Sequence, residues 1–189
     1  MLSKILDKIS NELNLEDFTR LNLVKRSVPA KELLVDPNKN FRSIYFIEKG
    51  VIRKFYISNS GKEHTTTFCF EGGFASPVID IYLNRNPSFY IEALTDVIIH
   101  EFSYDEFKSI LNELGLVDKV LSKLFVSLCI EMEEREKMLL TLDAIEKVKW
   151  FYSNMPNTVE DIPKNIISTY LDMDPSTFSR ALKKLEKWP

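Results

Sequence analysis

The sequence predicts an α+β protein in which a β-rich region comes first and helices follow it. Two observations support this. From about residue 28 to residue 102, short β-branched and aromatic runs alternate with turn residues about every 8 to 14 positions, which is typical of an antiparallel sandwich or barrel. After residue 103 the apolar residues recur at three- and four-residue spacing, which indicates helices. With 44% hydrophobic residues in 189, the chain has enough apolar material for a core.

Six strands are predicted, and most of them end at a turn residue such as Gly50, Gly61 or the pair Gly72 and Gly73. Their approximate ranges are 31–35, 42–47, 51–57, 64–70, 89–94 and 97–102. Before them, the apolar spacing of residues 2–24 predicts one amphipathic helix or two short ones.

The helical half begins with a short helix over residues 104–111, in which Ser103 and Glu106 form a capping pair. Residues 116–140, which contain neither Pro nor Gly, predict one long helix. Its apolar stripe is narrow and resembles a coiled-coil seam, so we expect a homodimer through residues 116–140. A helix lying along its own domain is the alternative. The stripe comprises Val117, Leu121, Leu124, Leu128, Met132, Leu139 and Leu142.

These patterns divide the chain into three predicted units. Residues 1–114 are the β-rich domain with its N-terminal helices, residues 115–141 are the dimerisation helix, and residues 142–189 are a small helical domain.

Charge and cysteine content exclude several classes of protein. The net charge of −3 excludes a polycation that coats nucleic acid, although a local basic face is compatible with it. Cys69 and Cys129 form neither a disulfide framework nor metal-ligand spacing, and we expect both thiols to be buried. Charges interrupt the apolar residues of the N-terminus, so we expect a cytoplasmic protein with no membrane partner. The sequence has no motif for a metal or a cofactor, so we expect neither.

The C-terminal segment 163–185 has the pattern of a helix-turn-helix. The first helix buries Ile167 and Leu171, and the small residue Ser168 permits close approach of the second helix. Asp172 tolerates a left-handed turn, and Asp174 with Pro175 begins the second helix. Phe178, Ala181, Leu182 and Leu185 are predicted to face inward.

The outward face of that second helix carries hydroxyls and cations but no acid. Hydroxyls and Arg suit base edges, and Lys suits phosphates, so these residues are the predicted DNA-binding set. A plain helical hairpin with a solvated basic face is the alternative. The set comprises Ser176, Thr177, Ser179, Arg180, Lys183 and Lys184.

A β-rich domain, a long helix and a helix-turn-helix, in that order, resemble the cyclic-AMP receptor/Fnr (Crp/Fnr) family of transcription regulators, in particular its Bacteroidetes-type members. The most specific stretches are residues 45–53, 70–74 and 170–180. The resemblance implies a β-roll or jelly roll like a cyclic-nucleotide-binding domain, a homodimer and double-stranded DNA as partner. It also implies a contact with RNA polymerase and a small-molecule effector, whose identity the sequence does not give. By position, Ser176 and Arg180 match the residues that reach bases.

The family's phosphate-binding cassette is degenerate in this sequence. The resemblance places Gly72 at the cassette glycine, but Gly73 stands at its Glu, and Pro87 with Ser88 stands at its Arg-Ser pair. Without that Arg a cyclic phosphate loses its charge-assisted partner, so we do not expect a response to cyclic AMP. The expected effector pocket takes an uncharged or differently charged ligand, or none. Its candidate residues are Gly72, Gly73, Phe74, Ala75, Arg85 and Ser88.

Other functions fit the sequence less well. Oxygen sensing of the Fnr type needs a cysteine cluster, and haem sensing would rest on His64 or His100 alone. A cupin enzyme needs closely spaced histidines, which this chain lacks, and we do not expect an enzyme. The more serious rival is a degenerate ligand-binding dimer that acts through protein contacts without binding DNA.

Overall fold

A computed structural model describes residues 20–155 and 157–185. Its strands are β1 (Val24–Val28), β2 (Leu33–Val35), β3 (Ser43–Lys49), β4 (Ile52–Ile57), β5 (Glu63–Cys69), β6 (Phe74–Ala75), β7 (Tyr90–Ala93) and β8 (Val97–Ser103). Its α-helices are α1 (Val78–Tyr82), α2 (Tyr104–Glu113), α3 (Val117–Thr141), α4 (Ala144–Asn154), α5 (Lys164–Tyr170) and α6 (Pro175–Leu185), and a 3-10 helix spans Asn157–Asp161.

The strands form two antiparallel four-stranded sheets, with the orders β1-β8-β3-β6 and β2-β7-β4-β5. Apart from β4 and β5, which are consecutive, neighbouring strands in each sheet are distant in sequence, as in a jelly roll. The turn between β3 and β4 depends on Gly50, whose φ is +93° and whose added Cβ would lie 2.7 Å from the Asp96 carbonyl oxygen. The α+β fold class is therefore confirmed.

Three apolar cores hold the molecule together. The first lies between the sheets and includes Ile47, Ile52 and Ile99. The second packs α1, α2 and the start of α3 against the outer side of the β1-β8-β3-β6 sheet. The third joins the C-terminal helices to Val51 and Phe68 of the two-sheet domain formed by β1–β8, called here the β-roll. The β-roll and the helical region thus share a core.

Most predicted elements are present. Each of the six predicted runs contains a strand, the long helix spans Val117–Thr141, and the Ser103 hydroxyl accepts a hydrogen bond from the Glu106 N–H at 3.3 Å. The predicted N-terminal helix is wrong at its end, because Val24 begins β1 instead. The rest of that prediction, residues 1–19, lies outside the described residues.

Sequence reasoning missed β1, β6 and α1. The charged residues Lys25 and Arg26 interrupt the apolar pattern of β1, although they pair with Glu48 of β3 and Glu101 of β8 in the same sheet at 2.9 and 2.7 Å. β6 has only two residues, too few to show alternation. Among the described helices, none combines the length and apolar character required to span a membrane.

Candidate functional site

The helices α5 and α6 form a compact pair at the C-terminal end of the described chain. Pro175 occupies the first position of α6, where its missing N–H costs no hydrogen bond. Asp172 adopts a left-handed conformation with φ of +49°, and the Met173 N–H donates to the Ser168 carbonyl at 3.0 Å. These features match the predicted turn, and Ser168 is fully buried where the helices meet.

The helix α6 has two chemically distinct faces. Phe178 and Ala181 are buried in the third core, and Leu182 and Leu185 pack against its edge. The opposite face carries exposed Ser176, Ser179, Arg180, Lys183 and Lys184, with Thr177 half-buried beside them. All six predicted DNA-binding residues therefore share one helix, and five of them are exposed.

The polar face of α6 is basic and has few internal partners. The Arg180 guanidinium bends back onto its own helix, donating to the Ser176 carbonyl at 3.4 Å and to the Thr177 hydroxyl at 3.2 Å. Within residues 20–155 and 157–185, no carboxylate forms an ion pair with Arg180, Lys183 or Lys184. Lys183 and Lys184 also lie in the last turn, where the helix dipole favours cations.

Strand β5 holds the helix pair against the β-roll. The Thr65 and Thr169 hydroxyls form a hydrogen bond at 2.7 Å. Arg135 of α3 donates from Nη2 to the Thr65 carbonyl at 3.1 Å and to the Tyr170 carbonyl at 2.9 Å. Burial lowers the pKa of Arg135, which also lies 5.0 Å from the centre of the Tyr170 ring. One side chain thus links the long helix, the β-roll and α5.

The long helix α3 is anchored at its ends, and its middle joins no core. Val120 and Met138 are buried in separate cores. Between them, Val126 and Ile130 are 58% and 56% exposed. Cys129 is exposed beside them, so its predicted burial is wrong within this chain.

The predicted apolar stripe on α3 serves two purposes. Its ends, Val117, Leu139 and Leu142, pack against cores of the same chain. Its central residues Leu121, Leu124 and Leu128 are half-buried and belong to no core. The part of α3 that is available to a partner chain is therefore shorter than the predicted 116–140 and centres on residues 121–132.

The candidate effector residues divide into two groups. Residues Gly72, Gly73, Phe74 and Ala75 follow β5 in the chain and lie beside β3. The Gly72 N–H donates to the Ile47 carbonyl at 2.8 Å, and Phe74 and Ala75 form β6, which pairs with β3. Arg85 and Ser88 lie in the loop after α1, and both bind Asp80.

Asp80 is the charged residue that sequence reasoning missed in this region. It is 1% exposed. Its Oδ1 accepts from Arg85 Nε at 2.7 Å, and its Oδ2 accepts from the Ser88 N–H at 3.0 Å and the Ser88 hydroxyl at 3.1 Å. The sequence offers only one signal for this site, which is an Asp followed by Arg five residues later and by Ser three residues after that. This signal is weak, because the three groups meet only through the conformation of the loop between them.

Both histidines have acidic neighbours. His100 is buried, and its Nε2 lies 2.5 Å from Glu48. That contact, together with Lys25, holds the pKa of Glu48 below its usual range. His64 Nδ1 lies 3.6 Å from Asp172 in the turn between α5 and α6. In the described part of the chain, no three potential His, Cys, Asp or Glu metal ligands cluster together.

Comparisons with known proteins agree with this architecture. The family described as "Cyclic nucleotide-binding domain" matches residues 25–113. The regulatory protein HlyX of Actinobacillus pleuropneumoniae is 26% identical over 93% of this chain and 78% of its own length. The anaerobic regulatory protein of Haemophilus influenzae is 26% identical over 94% of this chain and 72% of its own length. The chain therefore contains a cyclic nucleotide-binding domain and is similar over most of its length to regulators of the Crp/Fnr family.

Solved structures of Crp/Fnr-type proteins share the fold across both halves of the chain. FixK2 from Bradyrhizobium japonicum superposes with a TM-score of 0.73 at 18% identity, covering 87% of this chain and 84% of its own. The c-di-GMP responsive regulator CLP of Xanthomonas campestris gives 0.70 at 14% identity, covering 91% and 90%. The predicted resemblance to Crp/Fnr regulators and the predicted function of a transcription regulator are confirmed. The Bacteroidetes-type subgroup and the roles of individual residues stay predictions.

Proposed function

We propose that this Crp/Fnr-type regulator binds duplex DNA with α6 as the recognition helix of a helix-turn-helix. The observation that carries the proposal is the division of α6 into a buried apolar face and an exposed face with hydroxyls and cations but no acid. A recognition helix needs this division, because one face must be held rigidly while the other enters the major groove.

The polar residues have different roles in this proposal. Ser176 and Arg180 lie one turn apart on the exposed face and contact base edges, where Arg pairs best with guanine. Thr177 and Ser179 support these contacts from the same half of the helix. Lys183 and Lys184 neutralise phosphates, so they contribute affinity but little sequence selectivity.

Two copies of the chain pair through the middle of α3. Val126 and Ile130 would otherwise expose a large apolar surface beside the half-buried Leu121, Leu124 and Leu128. Pairing removes that surface from water and gives a symmetric dimer. Its two recognition helices would bind half-sites about 34 Å apart, so the target is a pseudo-palindrome.

The remaining predictions follow from this role. A protein that binds duplex DNA acts in the bacterial cytoplasm, and RNA polymerase stays a predicted partner. We propose no catalytic activity, since the relatives are named as regulators. The small-molecule effector, cyclic AMP excluded, stays a prediction for the loop that contains Arg85 and Ser88.

Fluorescence anisotropy with labelled duplexes from the region upstream of the gene tests the proposal. The ligand-free chain is compared with Arg180→Ala and with Lys62→Ala, an exposed cation in the turn between β4 and β5. We expect selective binding by the parent and by Lys62→Ala. Arg180→Ala should lose about 5- to 100-fold in affinity for the preferred duplex, with reduced selectivity.

Two outcomes would change the proposal in different ways. Selective binding that Arg180→Ala leaves unchanged would keep DNA binding but remove Arg180 from the recognition surface. Absence of salt-dependent duplex binding in the ligand-free chain and across a metabolite panel would favour the rival, a dimer that acts through protein contacts.

A further inference from the structure

An anion-binding group of donors in the β-roll is already occupied by a carboxylate of the same chain. We propose that Arg85 and Ser88 form an anion site that Asp80 fills, so the β-roll is closed to the acidic group of a ligand. This inference goes beyond the proposed function, because DNA binding by α6 does not depend on it.

The donor set has the composition of an anion site. A guanidinium, a backbone N–H and a hydroxyl converge on one carboxylate at 2.7, 3.0 and 3.1 Å. Each oxygen of Asp80 has at least one donor, and two of the three donors come from Ser88. Charge-assisted bonds of this length are the means by which proteins hold carboxylates and phosphates.

The backbone fixes Asp80 in this position. The Arg85 N–H donates to the Asp80 carbonyl at 3.0 Å, so the loop closes back onto the helix that carries the carboxylate. Asn84 adopts a positive φ of +52° to make this closure. Since Asp80 is buried, its charge needs these partners, and another anion would have to displace it against charge repulsion.

A second cation lies in the same part of the β-roll. Phe89 directly follows Ser88, and Lys54 Nζ lies 3.9 Å from the centre of the Phe89 ring. Burial lowers the pKa of Lys54, and the nearby charge of Asp80 partly offsets this effect. Removal of the Asp80 charge would therefore leave Arg85 and Lys54 as cations without that counter-charge, which suits an added anion.

The backbone at Gly73 leaves no room for a side chain that could contact a ligand in this region. A Cβ added to Gly73 would lie 2.8 Å from the Phe70 carbonyl oxygen. A longer side chain would therefore require the backbone to move. The loop from Arg85 to Ser88 is thus the part of the candidate effector region with polar groups aimed at an anion.

Thermal unfolding of the full chain tests the proposal with inorganic phosphate and cyclic AMP as probes, against chloride at matched ionic strength. The parent chain should show no shift in Tm with either probe beyond the chloride control. Asp80→Ala vacates the carboxylate position, and we expect phosphate or cyclic AMP to raise its Tm by about 3–6 °C at ligand concentrations near ten times Kd. The double variant Asp80→Ala/Arg85→Ala should lose that gain.

A second variant keeps the test decisive if Asp80→Ala does not fold. Asp80→Ser retains a small acceptor but leaves most of the carboxylate volume empty, and its circular dichroism is followed with and without phosphate. Recovery or stabilisation by phosphate in either variant, dependent on Arg85, supports a self-filled anion site. A Tm shift of the parent chain with either probe, or no gain in both variants, would overturn the proposal.

Discussion

Two groups of hydrogen-bond donors in this molecule differ in whether a carboxylate of the same chain binds them. In the β-roll, Arg85 binds the buried Asp80 carboxylate, and Ser88 adds two further hydrogen bonds. On α6, Arg180, Lys183 and Lys184 face solvent, and no carboxylate in the described chain pairs with them. The first group is satisfied within the chain, whereas the second is available to an external polyanion. The difference locates the expected partner at the C-terminal helices.

The largest effect is expected from loss of the support beneath α6. Phe178→Ala removes a side chain that is 1% exposed in the third core, and we expect it to lower the free energy of unfolding by about 3–5 kcal/mol. The neighbouring Ser179→Ala, on the exposed face, should change it by less than about 0.5 kcal/mol. Urea unfolding measures both. Equal effects of the two variants would contradict the two-faced description of α6.

Disruption of α3 should separate dimerisation from folding. Val126→Glu/Ile130→Glu places two charges on the exposed middle of the helix, and sedimentation should change from a two-chain to a one-chain species. The monomer should also bind a pseudo-palindromic duplex more weakly, since only one recognition helix is engaged. As a control, Leu33→Glu/Ile57→Glu alters similarly exposed strand residues and should remain dimeric. An unchanged mass for the α3 variant would argue against pairing through residues 121–132.

Arg135 allows the connection between the two regions to be measured. Arg135→Ala removes two charged hydrogen bonds to Thr65 and Tyr170, and we expect a loss of about 1.5–3 kcal/mol. Amide hydrogens of α5 should exchange faster, because the helix is held less firmly against β5. Lys137→Ala, two residues away and exposed, is the matched control. If exchange in α5 is the same in both variants, Arg135 does not hold the helix pair.

The smallest expected effect concerns a surface ion pair on the β-roll side. Arg42 donates to both oxygens of Asp105 at 2.7 and 2.6 Å, which holds the pKa of Asp105 below its usual value. The pair therefore stabilises the fold above about pH 4, the unfolded value for Asp, and this contribution disappears as the pH falls through the lower folded value.

Because the pair is largely exposed, Arg42→Ala should cost only about 0.2–1 kcal/mol at pH 7. Its difference from the parent should disappear as the pH falls below the lowered folded-state pKa of Asp105, whereas Lys39→Ala should match the parent throughout. Urea unfolding across this pH range measures the effect, and a difference that persists at the lowest pH would exclude the ion pair as its cause.

Sequence reasoning predicted the α6 face better than the Asp80 site, for a physical reason. The faces of α6 follow from helical periodicity, so Phe178 and Arg180 are assigned from their neighbours in sequence. The partners of Asp80 depend on a loop that returns to α1, and no periodic pattern encodes that return. The cluster of Arg53 with Glu63 and Glu92, at 2.6 and 2.7 Å, was missed likewise because it spans three strands.

The ends of α3 also depend on contacts that sequence periodicity does not reveal. Its length and position were predicted, because an uninterrupted apolar stripe is a local property. Whether Val117 and Leu139 face a partner or their own chain depends on the packing of distant elements. Periodicity identified the apolar residues but not what they pack against.

The salt dependence of duplex binding by the ligand-free chain tests the central claim most directly. Anisotropy titrations at several salt concentrations compare the parent with Lys183→Ala/Lys184→Ala. We expect affinity to fall steeply with salt in the parent, and the slope of log K against log salt to become shallower by about 2 in the variant. No duplex binding by the chain, alone or with any member of the metabolite panel, or an unchanged slope in the variant, would contradict the assignment of the exposed basic face of α6 to DNA.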